Sequence, residues 1–459
     1  MKCSEAGSDF LSALTSFVDV VLGGICPKEV APIFFGGRLI ALEKKLGGVR
    51  PIVIGFTLRR LVSKCANAFG VAHLGPYFCP RQLGVGTPDG CEAAIHSTRR
   101  YLQSLPTGHV LVKLDFTNAF KPNSLHRRDM LLSVEDRLPE LYAYSLAAYA
   151  QPSILYYGPF TLWSNEGPQQ GDPLGPLLFS NTIQPLLNSL KADLPLGYLD
   201  DLTLGGQQNK VAEDVRRILD VGQSLGLALN VSKCEVISNS STAITDPILQ
   251  SFRRLPVSEA SLLGAPLFQG PALDSRWHEC CSDLARAVDR LSMIGSQDAL
   301  ILLRASFSAP RVQHLLRCSP SVDHVALTTF DNLLRSALNR ITNSDVSDTQ
   351  WLQASLTIKE GGLGVRRVAA LALPAFLASA VSTLALQDLI LLSHPSQPDT
   401  LVDTYRTRWS ASFGFPPAGP CSYKQSAWDR PGLLAVKAQV ESSMVDQHQK
   451  VTFFRNLSP

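Results

Sequence analysis

The sequence predicts a mixed α+β chain up to about residue 270, followed by an all-α stretch. Three observations carry this. Short apolar runs bounded by Gly and Pro alternate with amphipathic segments through the first 270 residues. From about residue 275 onward apolar residues recur at helical spacing, broken by Ser-, Pro- and Gly-rich loops near 318–322 and 394–400. Finally, 45% of the 459 residues are hydrophobic and 18% are charged, a globular balance that a disordered chain does not reach. At about 100–200 residues per domain the length allows two to four domains.

Taken in order, residues 10–22 place apolar side chains at helical spacing, and Gly23-Gly24 ends the pattern. Residues 38–45 and 49–54 read as two strands around a turn at Gly47-Gly48. Residues 57–73 and 90–104 read as helices, the second opened by Thr87-Pro88-Asp89. His109-Val-Leu-Val-Lys-Leu-Asp115 is a strand that ends on a carboxylate. A helical block covers 126–150, and strand-like segments occupy 153–163. The Pro- and Gly-rich segment 167–176 leads into a helix at 177–190. Residues 197–204 form a tight hairpin with two Asp residues at its tip. An amphipathic helix follows at 210–226, then a strand at 227–238.

Net charge is only +3, but its distribution is uneven. Residues 1–150 carry a basic excess, whereas 151–250 hold 5 Lys and Arg against 10 Asp and Glu. A basic segment beside an acidic one fits a polyanion-binding surface next to a site that uses carboxylates, and equally two ordinary solvated surfaces. Arg59, Arg60 and Lys64 are expected on the basic surface. No run of about 18 apolar residues escapes a charge or a Pro/Gly break, which excludes an obvious membrane span. The start, Met1-Lys-Cys-Ser-Glu, lacks the apolar core of a secretory signal. Ten scattered cysteines without a Cys-x-x-Cys pair fit buried thiols in a reducing compartment. The expectation is a soluble intracellular protein, nuclear or cytoplasmic.

Three segments concentrate chemistry: Val112-Lys-Leu-Asp115-Phe-Thr-Asn-Ala-Phe120, Gly167-Pro-Gln-Gln-Gly171-Asp-Pro-Leu-Gly175, and Gly197-Tyr-Leu-Asp200-Asp201-Leu-Thr-Leu204. Two adjacent carboxylates on a hairpin repel each other unless a cation compensates. If the strands bearing Asp115 and Asp200 lie side by side, their carboxylates converge. Such hard oxygen ligands, completed by phosphate and water, suit Mg²⁺. Two such ions about 3.5–4 Å apart would serve an in-line phosphoryl displacement.

In this order the three segments resemble motifs A, B and C of reverse transcriptases, and the Gln-Gln-Gly-Asp-Pro form is similar to that of non-LTR (LINE-type) retrotransposons. Lys44-Lys45-Leu-Gly-Gly-Val-Arg50-Pro-Ile resembles the fingers motif of the family. Leu225-Gly-Leu-Ala-Leu-Asn-Val-Ser-Lys233 resembles motif D, and Leu262-Leu-Gly-Ala-Pro-Leu resembles motif E at the primer grip. Gly361-Gly-Leu-Gly-Val-Arg366 resembles the region beyond the thumb in these elements. The likeness runs over about residues 10–390.

The resemblance implies a right-hand polymerase: mainly fingers over 1–108, palm over 109–270, thumb over 271–350, and a helical extension over 351–459. It implies an RNA-directed DNA polymerase that extends a primer DNA 3′-hydroxyl with dNTPs on a template RNA. Asp115 and Asp200 would ligate two Mg²⁺ ions (Mn²⁺ as substitute), helped by the backbone carbonyl of Phe116, with Asp201 as supporting carboxylate. Arg50, with Lys45 as the weaker candidate, would neutralise the triphosphate, and Lys233 would lie near the leaving pyrophosphate. Phe120 takes the position of the family's steric gate against a ribose 2′-hydroxyl. Gln170 and Gly171 would pack against the dNTP and the templating base pair.

The sequence departs from the family pattern after Phe120, where Lys121-Pro122 form two extra residues. No endonuclease segment is visible, and no Cys-x₂-Cys-x₄-His-x₄-Cys knuckle; His278, Cys280, Cys281, His314 and Cys318 have other spacings and read as helix-core residues. A reading of another class therefore stays open: a catalytically decayed, RNA-binding remnant of such an element. A template-dependent RNA polymerase is disfavoured by Phe120 and by the Gln-Gln-Gly-Asp-Pro form.

Overall fold

The computed structural model describes residues 5–43, 48–117, 125–392, 398–444 and 446. It divides into two compact units, residues 1–90 with 106–254, and residues 91–105 with 255–459. The mixed α+β then all-α order expected from the sequence holds along the chain.

The first unit begins with the helix Glu5–Leu22 and the antiparallel pair β1 (Gly37–Glu43) and β2 (Val49–Gly55). The helix Thr57–Phe78 follows, and then β3 (His109–Leu114). The expected helical block at 126–150 is two helices, Arg127–Arg137 and Tyr142–Tyr149, because Pro139 ends the first. The apolar run after it is a hairpin, β4 (Ser153–Tyr157) and β5 (Phe160–Ser164), turning through Gly158 at φ 57°. After the helix Gly175–Ser189 come β6 (Leu194–Tyr198) and β7 (Asp201–Gln207), the helix Gln208–Ser224, β8 (Glu235–Ser238) and β9 (Arg253–Pro256).

Two sheets result, ordered β2-β1-β4-β5 and β6-β7-β3-β8-β9. In the second sheet β3 lies between β7 and β8 and is antiparallel to both. Val110, Val112 and Leu114 project to one face, as period-two alternation requires. There they meet Leu177, Leu178, Phe179 and Ile183 of one helix and Val211, Val215 and Ile218 of another. The latter positions recur every three or four residues, the stripe that sequence periodicity predicts. Fully burying each such side chain contributes about 1.5–3 kcal/mol, so this face anchors the sheet.

The predicted strand at 227–238 is corrected: only Glu235–Ser238 forms a strand. The chain before it wraps the end of β3, where Asn230 N–H donates to the Asp115 carbonyl at 2.7 Å and Thr117 N–H to Ala228 at 2.7 Å. A short 3₁₀ turn, Val231–Lys233, then delivers the chain to β8.

The second unit contains the small hairpin β10 (Ser261–Leu262) and β11 (Ala265–Pro266), turning through Leu263 and Gly264, both at positive φ. Beyond it the unit is helical. Leu273, Trp277, Leu284, Val288 and Leu291 line the buried face of the helix Pro271–Leu291. The helix Val368–Ser382 is buried around most of its circumference. It pairs with Leu384–Ile390 across a 54° bend, and no single described helix is long and apolar enough to cross a membrane. Described cysteines are free thiols, and Cys280 and Cys318 are buried in helices, as expected. The helix-core reading is corrected for His278 and His314, which lie on exposed faces of the same helices, Cys281 is only half-buried, and Cys65 and Cys421 are exposed rather than buried thiols.

Asp331 caps the Val368–Ser382 helix from a neighbouring helix, accepting from Val368 N–H at 2.7 Å and Ala369 N–H at 3.3 Å. Burial pushes its carboxyl up to about 6, although both N–H donors and Arg367 pull the other way. The folded chain thus takes up this proton at higher pH than the unfolded chain. Its contribution to folding is fully present below about pH 4, the unfolded carboxyl range, and is lost as pH climbs from there through about 6. Relative to the non-ionising Asp331→Asn protein, wild type should lose about 1–2 kcal/mol of stability between pH 5 and pH 8. Denaturant titrations of both proteins at the two pH values measure this; parallel pH profiles would refute the assignment.

Candidate active site

The site lies at one end of the five-stranded sheet of the first unit. Asp115 follows the last residue of β3, and Asp200 occupies the two-residue turn between β6 and β7. The β3–β7 register pairs Leu114 with Leu202, so one further step sets Asp115 beside Asp201. Cross-strand neighbours of like charge repel. The Asp200 carboxyl is raised above the usual carboxylate range, first by burial and then by Asp115, against the pull of a backbone hydrogen bond and of Arg50. Asp201 is pushed up to about 6 by surrounding protein, then by Asp200 and Asp115, with Lys113 opposing. Part of its side chain still reaches solvent. The three carboxylates therefore share one electrostatic field.

Lysine and arginine meet them there. Lys233 Nζ lies 3.9 Å from Asp115 Oδ2, both side chains well exposed. The 3₁₀ turn before β8 places it so, since Asn230 is tied to the Asp115 carbonyl. Arg50 is on β2, and its charge reaches Asp200. Phe116 is buried and bridges Leu229 next to Asp115.

The segment Pro168-Gln169-Gln170-Gly171-Asp172 docks on β2. Val53 N–H donates to the Gln170 carbonyl at 2.8 Å. Gly171 has φ 119°, and a Cβ there would stand 2.2 Å from the Val53 carbonyl oxygen, so only glycine allows this approach. Gln170 and Gly171 are thereby fixed against the strand that carries Arg50. Gln169, the other glutamine of the pair, is buried; it donates to Ser153 Oγ at 2.5 Å and to the Phe35 carbonyl at 3.1 Å.

One expectation is overturned. Arg59 is not on the basic surface with Arg60 and Lys64, which are exposed; it is 2% exposed and paired with Asp172 at 2.9 Å. It also donates to Gln169 Oε1 at 2.5 Å and to the Phe35 carbonyl at 2.6 Å. Burial favours loss of its proton, but Asp172 together with Tyr149 and Tyr144 outweighs that and its pKa rises. Tyr149 donates to the same Asp172 oxygen at 2.5 Å. Sequence reading missed Asp172, Tyr149 and Gln82; their only local signal is a polar residue inside an apolar or Gly-rich stretch.

Phe120 and Lys121-Pro122 lie outside the described residues, as does Lys45. Among the described residues no three His, Cys, Asp or Glu side chains gather closely enough to cage a metal on their own. Asp115 and Asp200 still fit a hard cation of the Mg²⁺ type, which is held by one or two carboxylates and completed by substrate phosphates. Mutual repulsion among Asp115, Asp200 and Asp201 is the feature such a cation would relieve.

Residues 42–267 match the family model described as reverse transcriptase (RNA-dependent DNA polymerase). The chain carries a reverse transcriptase domain. The match takes in Arg50, Asp115, Gln170, Gly171, Asp200, Asp201 and Lys233, and it spans the sheet β6-β7-β3-β8-β9. The retrotransposable element SLACS 132 kDa protein of Trypanosoma brucei gambiense is 26% identical over 378 residues, 78% of this chain. The chain spans 30% of the length of that relative. Among solved structures, telomerase from Candida albicans with a fragment of telomeric RNA is 11% identical, with a TM-score of 0.42, covering 89% of this chain and 67% of that one. Apo telomerase from Candida tropicalis is 9% identical, with a TM-score of 0.41, covering 98% and 74%. The retrotransposon kinship expected from the Gln-Gln-Gly-Asp-Pro form agrees with the first of these relatives.

Proposed function

We propose that this reverse transcriptase domain is an active RNA-directed DNA polymerase. The observation that supports it most is the gathering of Asp115 and Asp200 at one sheet end, with Lys233 at 3.9 Å and Arg50 within electrostatic reach. In this reading Asp115 and Asp200 hold Mg²⁺ (two ions, Mn²⁺ as substitute), with the Phe116 carbonyl as a further ligand and Asp201 as supporting carboxylate. Bound Mg²⁺ supplies charge stabilisation and a lowered hydroxyl pKa for in-line displacement. Arg50 and Lys233 bind the triphosphate of an incoming dNTP, Arg50 by a fork of donors and Lys233 as a point charge. Gln170 and Gly171 pack against the nucleotide and the base pair.

The partners are then template RNA, primer DNA and dNTPs. Residues 1–108 supply mainly fingers, 109–270 palm, 271–350 thumb and 351–459 an extension, except that 91–105 folds with the helical unit. The hairpin β10–β11 supplies the primer grip. Two intact carboxylate positions with two cations beside them favour this reading over a decayed RNA-binding remnant. Incorporation of dTTP on poly(rA)/oligo(dT) with Mg²⁺ tests it. Steady incorporation is expected, and binding of the primer-template without any incorporation would leave the remnant as the better description.

Sugar selection is assigned to Phe120. A ring that crowds a 2′-hydroxyl costs the wrong nucleotide about 1–3 kcal/mol. Phe120→Ala should therefore lower dNTP-over-NTP discrimination by roughly 5–150-fold. The measurement is the ratio of incorporation efficiencies on one template; an unmoved ratio would make Phe120 a packing residue.

A further inference from the structure

The turn that presents Asp200 contains a strained residue. Leu199 has φ 57°, a conformation that bulky residues rarely adopt, in the two-residue connection between β6 and β7. A glycine would take it freely. Such backbone persists only where its surroundings over-determine it.

One side chain holds the backbone of Leu199 on both sides. Gln82 is fully buried, and its Oε1 accepts from Leu199 N–H at 2.8 Å and from Gly84 N–H at 3.1 Å. Its Nε2 donates to the Leu199 carbonyl at 3.3 Å. One carboxamide therefore grips the peptide groups on both sides of the strained residue. The segment carrying it is itself fixed along the free edge of β6. Gly197 N–H donates to the Arg81 carbonyl at 2.6 Å, and Leu83 N–H to the Gly197 carbonyl at 2.8 Å. Arg81 Nη1 donates to the carbonyls of Leu187 and Leu190, at 2.5 and 3.2 Å, anchoring the segment to the end of the preceding helix. Gly84 and Gly197 leave the room required: a Cβ on Gly84 would stand 2.8 Å from Leu199 N, and one on Gly197 2.9 Å from a Leu187 methyl.

We propose that Gln82 is a positioning residue for the candidate active site: it holds Leu199 in its left-handed conformation and so fixes the direction in which Asp200 is presented. The inference rests on the polymerase reading for its catalytic consequence, although the clamp itself is a property of the fold. Without the two hydrogen bonds Leu199 relaxes to negative φ, the turn changes type, and Asp200 leaves the field it shares with Asp115.

The test uses Gln82→Met, which keeps the volume and removes both hydrogen-bonding ends, and the double variant Gln82→Met/Leu199→Gly, in which positive φ costs little. Misplacement of a reacting group by about 1 Å lowers turnover roughly 10²-fold. Gln82→Met should show that loss in kcat while KM for dNTP stays within about twofold. Mn²⁺ binding, followed by the EPR signal of the free ion, should weaken in parallel. The Leu199 and Gly84 amides should lose protection from hydrogen exchange. Adding Leu199→Gly should restore at least about tenfold of the lost turnover, because glycine no longer needs the clamp. Full kcat and full Mn²⁺ affinity in Gln82→Met would overturn the proposal. So would a loss of activity that only tracks the unfolded fraction and is not restored by Leu199→Gly. If the wild-type chain incorporates no nucleotide, the polymerase reading falls, and Mn²⁺ binding and amide exchange decide the clamp without turnover.

Discussion

Asp200→Ala and Asp115→Ala proteins are each expected to lose at least about 10³-fold in Mg²⁺-dependent primer extension, since a missing ligand forfeits several kcal/mol of transition-state charge stabilisation at about 1.4 kcal/mol per factor of ten. The fold should survive, because both side chains project from the end of a sheet whose core lies in Val110, Val112, Leu114, Leu202 and Leu204. Removing either carboxylate also relieves repulsion on its neighbours, so thermal stability without metal should hold or rise. Asp201→Ala should fall less, as befits a supporting carboxylate that is partly exposed. Primer extension and melting curves of the three variants give the readout. Substantial extension by Asp115→Ala or Asp200→Ala would remove both from the catalytic assignment.

The second large effect is on stability. Arg59→Ala is expected to destabilise the first unit by about 3–5 kcal/mol, because it strands Asp172 as a buried charge. The loss is compounded at Gln169 Oε1, which loses its donor, and at the Phe35 carbonyl, which keeps only the one from Gln169. Asp172→Ala strands the guanidinium instead and should cost a similar amount. Replacing both by apolar residues of similar size (Arg59→Met with Asp172→Leu) should cost much less than either single change. That contrast separates a buried pair from a surface arginine, whose removal costs little. Denaturant unfolding of the three variants measures it, and an Arg59→Ala protein within about 0.5 kcal/mol of wild type would contradict the burial. Function should suffer along with stability: the pair joins the helix Thr57–Phe78, just after β2, to the segment that places Gln170 and Gly171.

The order of elements and the carboxylates of the site were legible in the sequence because both are local. A strand of alternating apolar residues ending in Asp115, or two carboxylates at the tip of a hairpin, is written in consecutive residues. Periodicity likewise located the helix Gln208–Ser224 and the helical second unit. Apolar alternation overstates the strand at 227–238 for the same reason. Its apolar alternation is real, but the partner that decides its shape is Asp115, more than a hundred residues away, whose carbonyl draws Asn230 into a wrap.

Burial and pairing, by contrast, belong to the tertiary structure. Arg59 looks like any helix-surface arginine until Asp172, 113 residues further on, is folded against it and, with Tyr149 and Tyr144, outweighs the cost of desolvation. Gln82 has no distinguishing neighbours in sequence, because its partners are backbone groups of Leu199, 117 residues away, and backbone groups carry no sequence signature. The sequence alone thus determined which residues are candidates for the chemistry. Only long-range packing decided which side chains hold them in place, since a side chain's protonation, burial and hydrogen bonds depend on what the rest of the chain brings to it.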